Sequence, residues 1–421
     1  SVISYKIIVG LLLVAHLLNI FVMKHLELAE RLSRISEPQT IKMAKLSREL
    51  KAQGIDIVDL SIGEPDFDTP AHIREAAKKA IDEGFTHYTP VAGIADLRAA
   101  VVKKLQRDNN LEYLPEQIVV STGAKQSIAN AVLSVINPGD EVIIPTPYWV
   151  TYSELVKLCQ GKVVFVPCGI EHKFKITPAQ LEAAITPKTK LFMFSSPCNP
   201  TGSVYSKEEL KALADVFAKH PGIYVLADEI YEYINYVGKH ESIAQFEGMK
   251  DRTIIINGLS KGFAMTGWRL GYLAAPAAVA KAAENIQSQF TSATCSITQK
   301  AAVAALNGPK DSADEMLAEF TKRRAFVFEQ MSQMPGLKLI NPDGAFYMFP
   351  DVSSFFGKSY DGETVNNADD LCMYLLHKAN VTFVTGSAFQ QPNAIRISYA
   401  ASMEKLQEGM KRLKAGLEKL A

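Results

Sequence analysis

The chain has 421 residues, 48% hydrophobic and 21% charged, which excludes a disordered protein and suits a globular one large enough for two domains. Its 45 basic residues balance 45 acidic ones, so there is no electrostatic footprint for nucleic acid, and anionic ligands must be met by local groups. Five scattered cysteines, none spaced C-x-x-C, and eight histidines with no H-x-x-x-H pair lend no support to a disulfide framework or a metal site, and they fit a reducing, cytoplasmic setting.

Residues Ile7 to Val22 are almost wholly apolar, broken by His16 and Asn19. That stretch is short of the ~20 apolar residues of a spanning helix, and no A-x-A-like cleavage site follows it. Met23 then opens M-K-H-L-E-L-A-E-R-L, a normal start for a soluble protein. Residues 1–22 are therefore expected to be an apolar extension outside the functional unit, with a membrane anchor as the rival reading.

From Ile118 onward, short apolar runs alternate with helical stretches. The runs are Ile118–Val120, Glu141–Ile144, Lys162–Val166, Leu191–Phe194, Tyr224–Ala227 and Thr253–Asn257. Continuous runs of this length between helices read as strands buried on both faces of a mostly parallel sheet, which defines an α/β domain. Gly123-Ala124-Lys125-Gln126 follows the first run and opens a helical stretch to Ile136, while Asn137-Pro138-Gly139-Asp140 is turn chemistry. Beyond about Ser312 the pattern changes to a long charged helix, Ala313 to Met334. Strand candidates Ala345–Phe349, Val381–Val384 and Ala394–Ser398 and a C-terminal amphipathic helix follow, predicting a smaller α+β domain.

The chemistry centres on Lys261, in the run Ser260 to Gly271, S-K-G-F-A-M-T-G-W-R-L-G. It follows an apolar strand candidate, so it is expected at the carboxyl edge of the sheet, where open α/β folds bind ligands. A desolvated lysine, or one beside another cation, is deprotonated near neutral pH and attacks an aldehyde to give a Schiff base. Arg269, eight residues on, offers a planar fork suited to phosphate. Amine plus phosphate clamp suggests pyridoxal 5′-phosphate.

With these motifs in this order, the chain from about Leu26 to its C-terminus resembles the fold-type I pyridoxal-phosphate enzymes, specifically class I aminotransferases of the aspartate aminotransferase branch. The resemblance implies a large domain, 64–311, with a mostly parallel seven-stranded sheet covered by helices. A smaller α+β domain would be built from 23–63 and 312–421. It implies that Asp228, in D-E-I-Y, keeps the pyridine nitrogen protonated, and that Tyr231 and Asn199 hydrogen-bond the phenolic oxygen. Backbone groups of Gly123, Ala124 and Lys125, with Ser260 and Arg269, would cage the phosphate, and Tyr88 would reach it from the partner subunit of a homodimer with shared active sites. Trp149 would stack on the ring, Arg396 would bind the substrate α-carboxylate with Gly63 approaching it, and Lys125 with Thr40 would meet a distal carboxylate.

The reaction so implied is a ping-pong transfer of an amino group between an L-amino acid, aspartate first, and 2-oxoglutarate. Lys261 serves as Schiff-base lysine and proton shuttle, and aromatic amino acids or prephenate are the alternative substrates. Two other classes stay open. Gly258-Leu259-Ser260-Lys261-Gly262 fits the G-x-S-x-G nucleophile elbow of serine hydrolases, although Phe263 to Gly271 reads as extended rather than helical. The other is a regulatory protein on a borrowed fold.

Overall fold

The computed structural model describes residues 28–36 and 39–421, and for 39–42 the backbone alone. The apolar run Ile7–Val22 and the Met23 start lie outside the described residues. Residues 28–36 contain a short 3-10 turn, Glu30–Arg34, in which Arg34 pairs with Glu30 at 2.9 Å. Residues 39–421 belong to a separate compact unit. No helix among the described residues is long and apolar enough to cross a membrane.

After β1 (Val58–Asp59), seven strands build the central sheet: β2 (Ile118–Ser121), β3 (Glu141–Thr146), β4 (Lys162–Pro167), β5 (Thr189–Ser195), β6 (Tyr224–Asp228), β7 (Thr253–Gly258) and β8 (Gly271–Ala274). Their order is β2-β8-β7-β6-β5-β3-β4, all parallel except β8, which runs antiparallel to β7 and β2. Each of the six expected runs is a strand of this sheet.

The run of isoleucines in β7 shows why the sheet needs helices on both sides. Ile254 and Ile256 point to one face and pack with Ile128, Val132 and Val279, whereas Ile255 points to the other and packs with Leu97, Val101 and Ala301. Helices Ala124–Val135 and Ala277–Phe290 cover the first face, and Ala95–Asn109 and Ser296–Asn307 the second. A strand greasy on both faces is stable only between two such layers. Truncating any of these fully buried isoleucines to alanine costs about 2–5 kcal/mol.

Local signals set the helix starts. Ser206 accepts from the Glu209 N–H at 3.2 Å while the Glu209 carboxylate accepts from the Ser206 N–H at 2.8 Å. This reciprocal cap at Lys207–Ala218 contributes ~1 kcal/mol.

The later strands are short: β9 (Tyr347–Met348), β10 (Ser359–Tyr360), β11 (Glu363–Thr364), β12 (Val381–Thr382), β13 (Val384–Thr385) and β14 (Ile395–Ser398). A three-stranded antiparallel sheet runs β13-β14-β9, and β12 pairs in parallel with β1, tying residues near 58 to those near 381. The helices Asp311–Ser332 and Met403–Glu418 flank this region, whose core includes Phe320, Phe346 and Tyr399.

One expectation needs correction. Of the segment Phe263 to Gly271, expected to be extended, residues 263–270 form a run of turns with a 3-10 turn at Thr266–Trp268, because Ala264 (φ 49°) and Arg269 (φ 54°) both take the left-handed conformation. Immediately after it comes β8, unforeseen because Gly-Tyr-Leu-Ala is only four residues long and starts with a residue that weakens strands.

Candidate active site

The carboxyl ends of the strands gather the predicted residues. Ser195 at the end of β5 stands opposite Asp228 at the end of β6, and Asp228 stands opposite Ile256 of β7. Gly271 of β8 stands opposite both Ser121 and Gly258. A cleft of about 430 Å³ opens at this edge, and its lining includes Lys261, Asp228, Arg269, Arg396, Trp149 and Lys125. Gly63, Ala124, Asn199, Tyr231 and Ser260 line it as well.

Lys261 donates from Nζ to the Gly63 carbonyl at 2.5 Å. Burial pushes its ammonium down to about 8, Arg396 and Arg269 push the same way, and Glu64 and Asp228 oppose them. An appreciable fraction of the amine is therefore neutral near pH 7.5, the form a nucleophile or general base needs.

Asp228 is 4% exposed. The Tyr152 hydroxyl donates to its Oδ2 at 2.7 Å and the Ile230 N–H to its Oδ1 at 3.3 Å. Burial raises its carboxyl to about 6 against those two donors. A carboxylate held in this way is ready to pair with a cation that enters the cleft. Tyr231 shares a hydrogen bond with Tyr347, hydroxyl to hydroxyl at 2.8 Å.

Arg396 lies on β14 between two buried isoleucines and is 3% exposed. It donates from Nη1 to Asn199 Oδ1 at 2.9 Å and from Nη2 to the Ser61 carbonyl at 2.7 Å, with its guanidinium 4.6 Å from the Tyr347 ring centre. Its Nε has no partner, and no carboxylate lies within 4 Å of it among the described residues. A buried guanidinium met only by neutral groups still lacks a counter-ion, and a carboxylate entering the cleft supplies one.

On the opposite side, Gly123 (φ 86°) begins the helix Ala124–Val135. A Cβ at Gly123 would come within 2.2 Å of Arg269 Nη2, so only glycine lets the guanidinium reach this helix start. Free N–H groups of a first turn beside a permanent cation make a site for a phosphate dianion. Ser260 is 8% exposed and adjoins it in the lining. Trp149 meets Tyr152 edge to face at 5.7 Å, and Lys125 Nζ lies 5.0 Å from the Trp149 ring centre. Burial, with a smaller contribution from Arg269, lowers the Lys125 ammonium below its ordinary value.

Tyr88, expected to reach the phosphate of a second copy, does not line this chain's own cleft. Tyr88 is 97% exposed. Thr40 lies in the helix Gln39–Ala52, and its side chain is outside the described residues. Further lining residues escaped the sequence reading, among them Tyr152, Tyr347, Ser61 and Arg48. Tyr152 had a signal, since it follows Trp149 by three residues at the start of a helix and so shares its face.

The donor set fits pyridoxal 5′-phosphate group by group: an amine for its aldehyde, a carboxylate for its ring nitrogen, and a cation with helix N–H groups for its phosphate. That defines a pyridoxal-phosphate enzyme. Comparison with known proteins agrees. Residues 55–413 match the family model of class I and II aminotransferases. A bifunctional aspartate aminotransferase and glutamate/aspartate-prephenate aminotransferase of Petunia hybrida is 46% identical, over 93% of this chain and 83% of that one. An aspartate/prephenate aminotransferase of Nitrosomonas europaea is also 46% identical, over 92% and 99%. The crystal structure of the aspartate aminotransferase from Rhizobium meliloti superposes with a TM-score of 0.91 at 42% identity, covering 94% of this chain and all of that one. The chain belongs to the class I and II aminotransferases and is a pyridoxal-phosphate-dependent aminotransferase; a serine hydrolase is not supported.

Proposed function

We propose that this enzyme moves the amino group of L-aspartate to 2-oxoglutarate by a ping-pong mechanism, one cleft serving both amino acid and oxo acid in turn. The observation that carries the reading is Arg396, a buried cation without an acidic partner among the described residues, facing a cleft that also holds Lys261. Relatives named for aspartate support the choice of substrate.

Bound at this edge, the cofactor supplies an aldehyde for the Lys261 amine and a ring that accepts the electron pair left at the substrate Cα. The side chains do the rest. Asp228, oriented by Tyr152 and Ile230, holds the proton at the ring nitrogen. Tyr231 and Asn199 donate to the phenolic oxygen, Trp149 covers the ring face, and Gly123, Ala124, Lys125, Ser260 and Arg269 hold the phosphate. Arg396 aligns the α-carboxylate against Gly63. With the cofactor bound, the Lys261 amine would take the substrate Cα proton and return it, which its lowered proton affinity permits.

Lys125, with Thr40, is assigned to the distal carboxylate of the substrate. The exposed Tyr88 completes the phosphate site of a second copy, which makes the working form a homodimer. We place the enzyme in the cytoplasm on its five free cysteines. Residues 64–311 are assigned to a large cofactor-binding domain, and 23–63 with 312–421 to a small one.

A second reading, transfer to prephenate or aromatic substrates, is favoured by the names of the relatives above. Initial rates with aspartate, glutamate, phenylalanine and tyrosine as donors to 2-oxoglutarate, and with prephenate as acceptor from aspartate, decide between them. The first reading predicts the highest kcat/KM for aspartate with 2-oxoglutarate. A higher value for an aromatic donor would overturn it.

A further inference from the structure

Behind the turn that carries Asp228 and Tyr231 lies a second group of charges with no part in the chemistry above. Lys104, Glu229, Glu232 and His240 are 0%, 2%, 6% and 8% exposed. Lys104, on the helix Ala95–Asn109, pairs with Glu232 and donates to Asn109 Oδ1 at 2.8 Å, while Asn109 Nδ2 donates to Glu232 Oε2 at 3.1 Å. Glu229 Oε2 has one basic neighbour among the described residues, His240 Nε2 at 3.1 Å.

The geometry ties this cluster to the cleft. Consecutive turns, with the Glu232 N–H on the Glu229 carbonyl at 2.9 Å and the Ile234 N–H on the Tyr231 carbonyl at 2.8 Å, send side chains to two sides. Asp228 and Tyr231 line the cleft, whereas Glu229 and Glu232 face the cluster. Tyr233, in the same turn, donates to Asp108 Oδ2 at 2.8 Å and packs so closely on Gly262 that a Cβ there would sit 2.6 Å from its ring. The residue after Lys261 therefore rests on the turn that the cluster holds.

Charge balance sets the protonation. Two buried carboxylates face one ammonium, and an ionised carboxylate left unpaired in a dry interior is strongly disfavoured. The groups facing His240 are Glu229 and Glu232, which attract its proton, and Lys104, which repels it; the neutral phenols of Tyr113 and Tyr272 adjoin the two carboxylates. Burial works against the imidazolium, but the two carboxylates outweigh it and hold His240 above its ordinary value. Ligand atoms of Glu229, Glu232 and His240 lie within 4.8 Å of one another, a spacing that also suits a metal ion, but Lys104 already gives Glu232 a cation.

We propose that Lys104, Glu229, Glu232 and His240 form a positioning cluster, charge-balanced by a protonated His240, that fixes the turn presenting Asp228 and Tyr231 to the cofactor. It rests on the roles assigned to those two residues under the proposed function. The first test is the ring nitrogen signals of 15N-histidine-labelled apoprotein, with His240→Gln identifying the resonance. Both His240 nitrogens should still be protonated at pH 7, and the ring should titrate above an ordinary histidine of pKa about 6.5. A neutral ring at pH 7, or stoichiometric metal in the purified holoenzyme, would overturn the proposal.

The second test is the dissociation constant of pyridoxal 5′-phosphate for His240→Gln, Glu229→Gln and the double variant. Each single change leaves a charge unbalanced and should weaken binding about tenfold or more, and the double variant, neutral again, should recover most of it. A double variant no better than the worse single one means the residues act by packing, and the cluster is refuted. Failure in these arms touches the cluster alone, whereas a wild-type protein that binds no cofactor would refute the reading beneath it.

Discussion

The Tyr152 hydroxyl donates to Oδ2 of Asp228 at 2.7 Å, both side chains being buried, so a tyrosine on the helix after β3 orients the carboxylate at the end of β6. A hydrogen bond to a buried charged group is worth about 1.5–3 kcal/mol. Tyr152→Phe should therefore weaken cofactor binding about tenfold or more and raise the proton affinity of Asp228 further. Equilibrium dialysis of the variant with pyridoxal 5′-phosphate checks this, and unchanged affinity would remove Tyr152 from the site.

Asp228 also makes the apoprotein sensitive to pH. Its folded value of about 6 lies above the ordinary 3.8 because burial disfavours the anion. A raised carboxyl contributes its full stability below 3.8 and loses it as pH climbs through about 6. By pH 7.5 the ionised group costs roughly 3 kcal/mol. Asp228→Asn apoprotein should thus melt above wild-type apoprotein at pH 7.5 and level with it near pH 4, although it will be inactive as an enzyme. Equal melting temperatures at pH 7.5 would show that Asp228 is not strained by burial.

The strands were legible because a parallel sheet covered on both faces admits only apolar side chains, so Ile254–Ile256 or Leu191–Phe194 stand out without any periodicity. Lys261, Asp228 and Asn199 were legible because each follows such a run. What stayed hidden comes from distant segments: Tyr347 and Ser61 reach the cleft from more than fifty residues of chain away from the sheet, and their own residue types do not mark them. The turns between Lys261 and Arg269 were hidden for a different reason, since Ala264 and Arg269 adopt a backbone conformation that favours glycine. Glu229, Glu232, Lys104 and His240 look in the sequence like ordinary surface charges, and only the fold buries them together.

Lys125, desolvated over the Trp149 ring, is the cation assigned to a distal carboxylate. Lys125→Ala should raise KM for aspartate and 2-oxoglutarate about tenfold and leave KM for phenylalanine near its wild-type value. The loss is expected to be partial because Arg48 lines the same cleft without an ion-pair partner among the described residues. Equal effects on acidic and aromatic donors, measured in steady-state assays, would remove the specificity role.

Arg396 should matter to every amino acid alike. Arg396→Ala removes one partner of a buried charge pair that forms with the substrate, worth ~4 kcal/mol, and should lower kcat/KM about 10³-fold for acidic and aromatic donors together. Arg396→Lys keeps the charge but loses the planar fork, and should recover only part of the rate. A loss confined to acidic donors would place Arg396 at the distal carboxylate instead.

The account depends most directly on the amine of Lys261. Borohydride reduction of the holoenzyme, followed by peptide mass spectrometry, fixes the cofactor to whichever side chain holds it through a C=N bond. The predicted result is a single pyridoxyl adduct on Lys261, absent from Lys261→Ala and retained in Ser260→Ala. An adduct on another lysine, or no adduct from a protein saturated with cofactor, would contradict it.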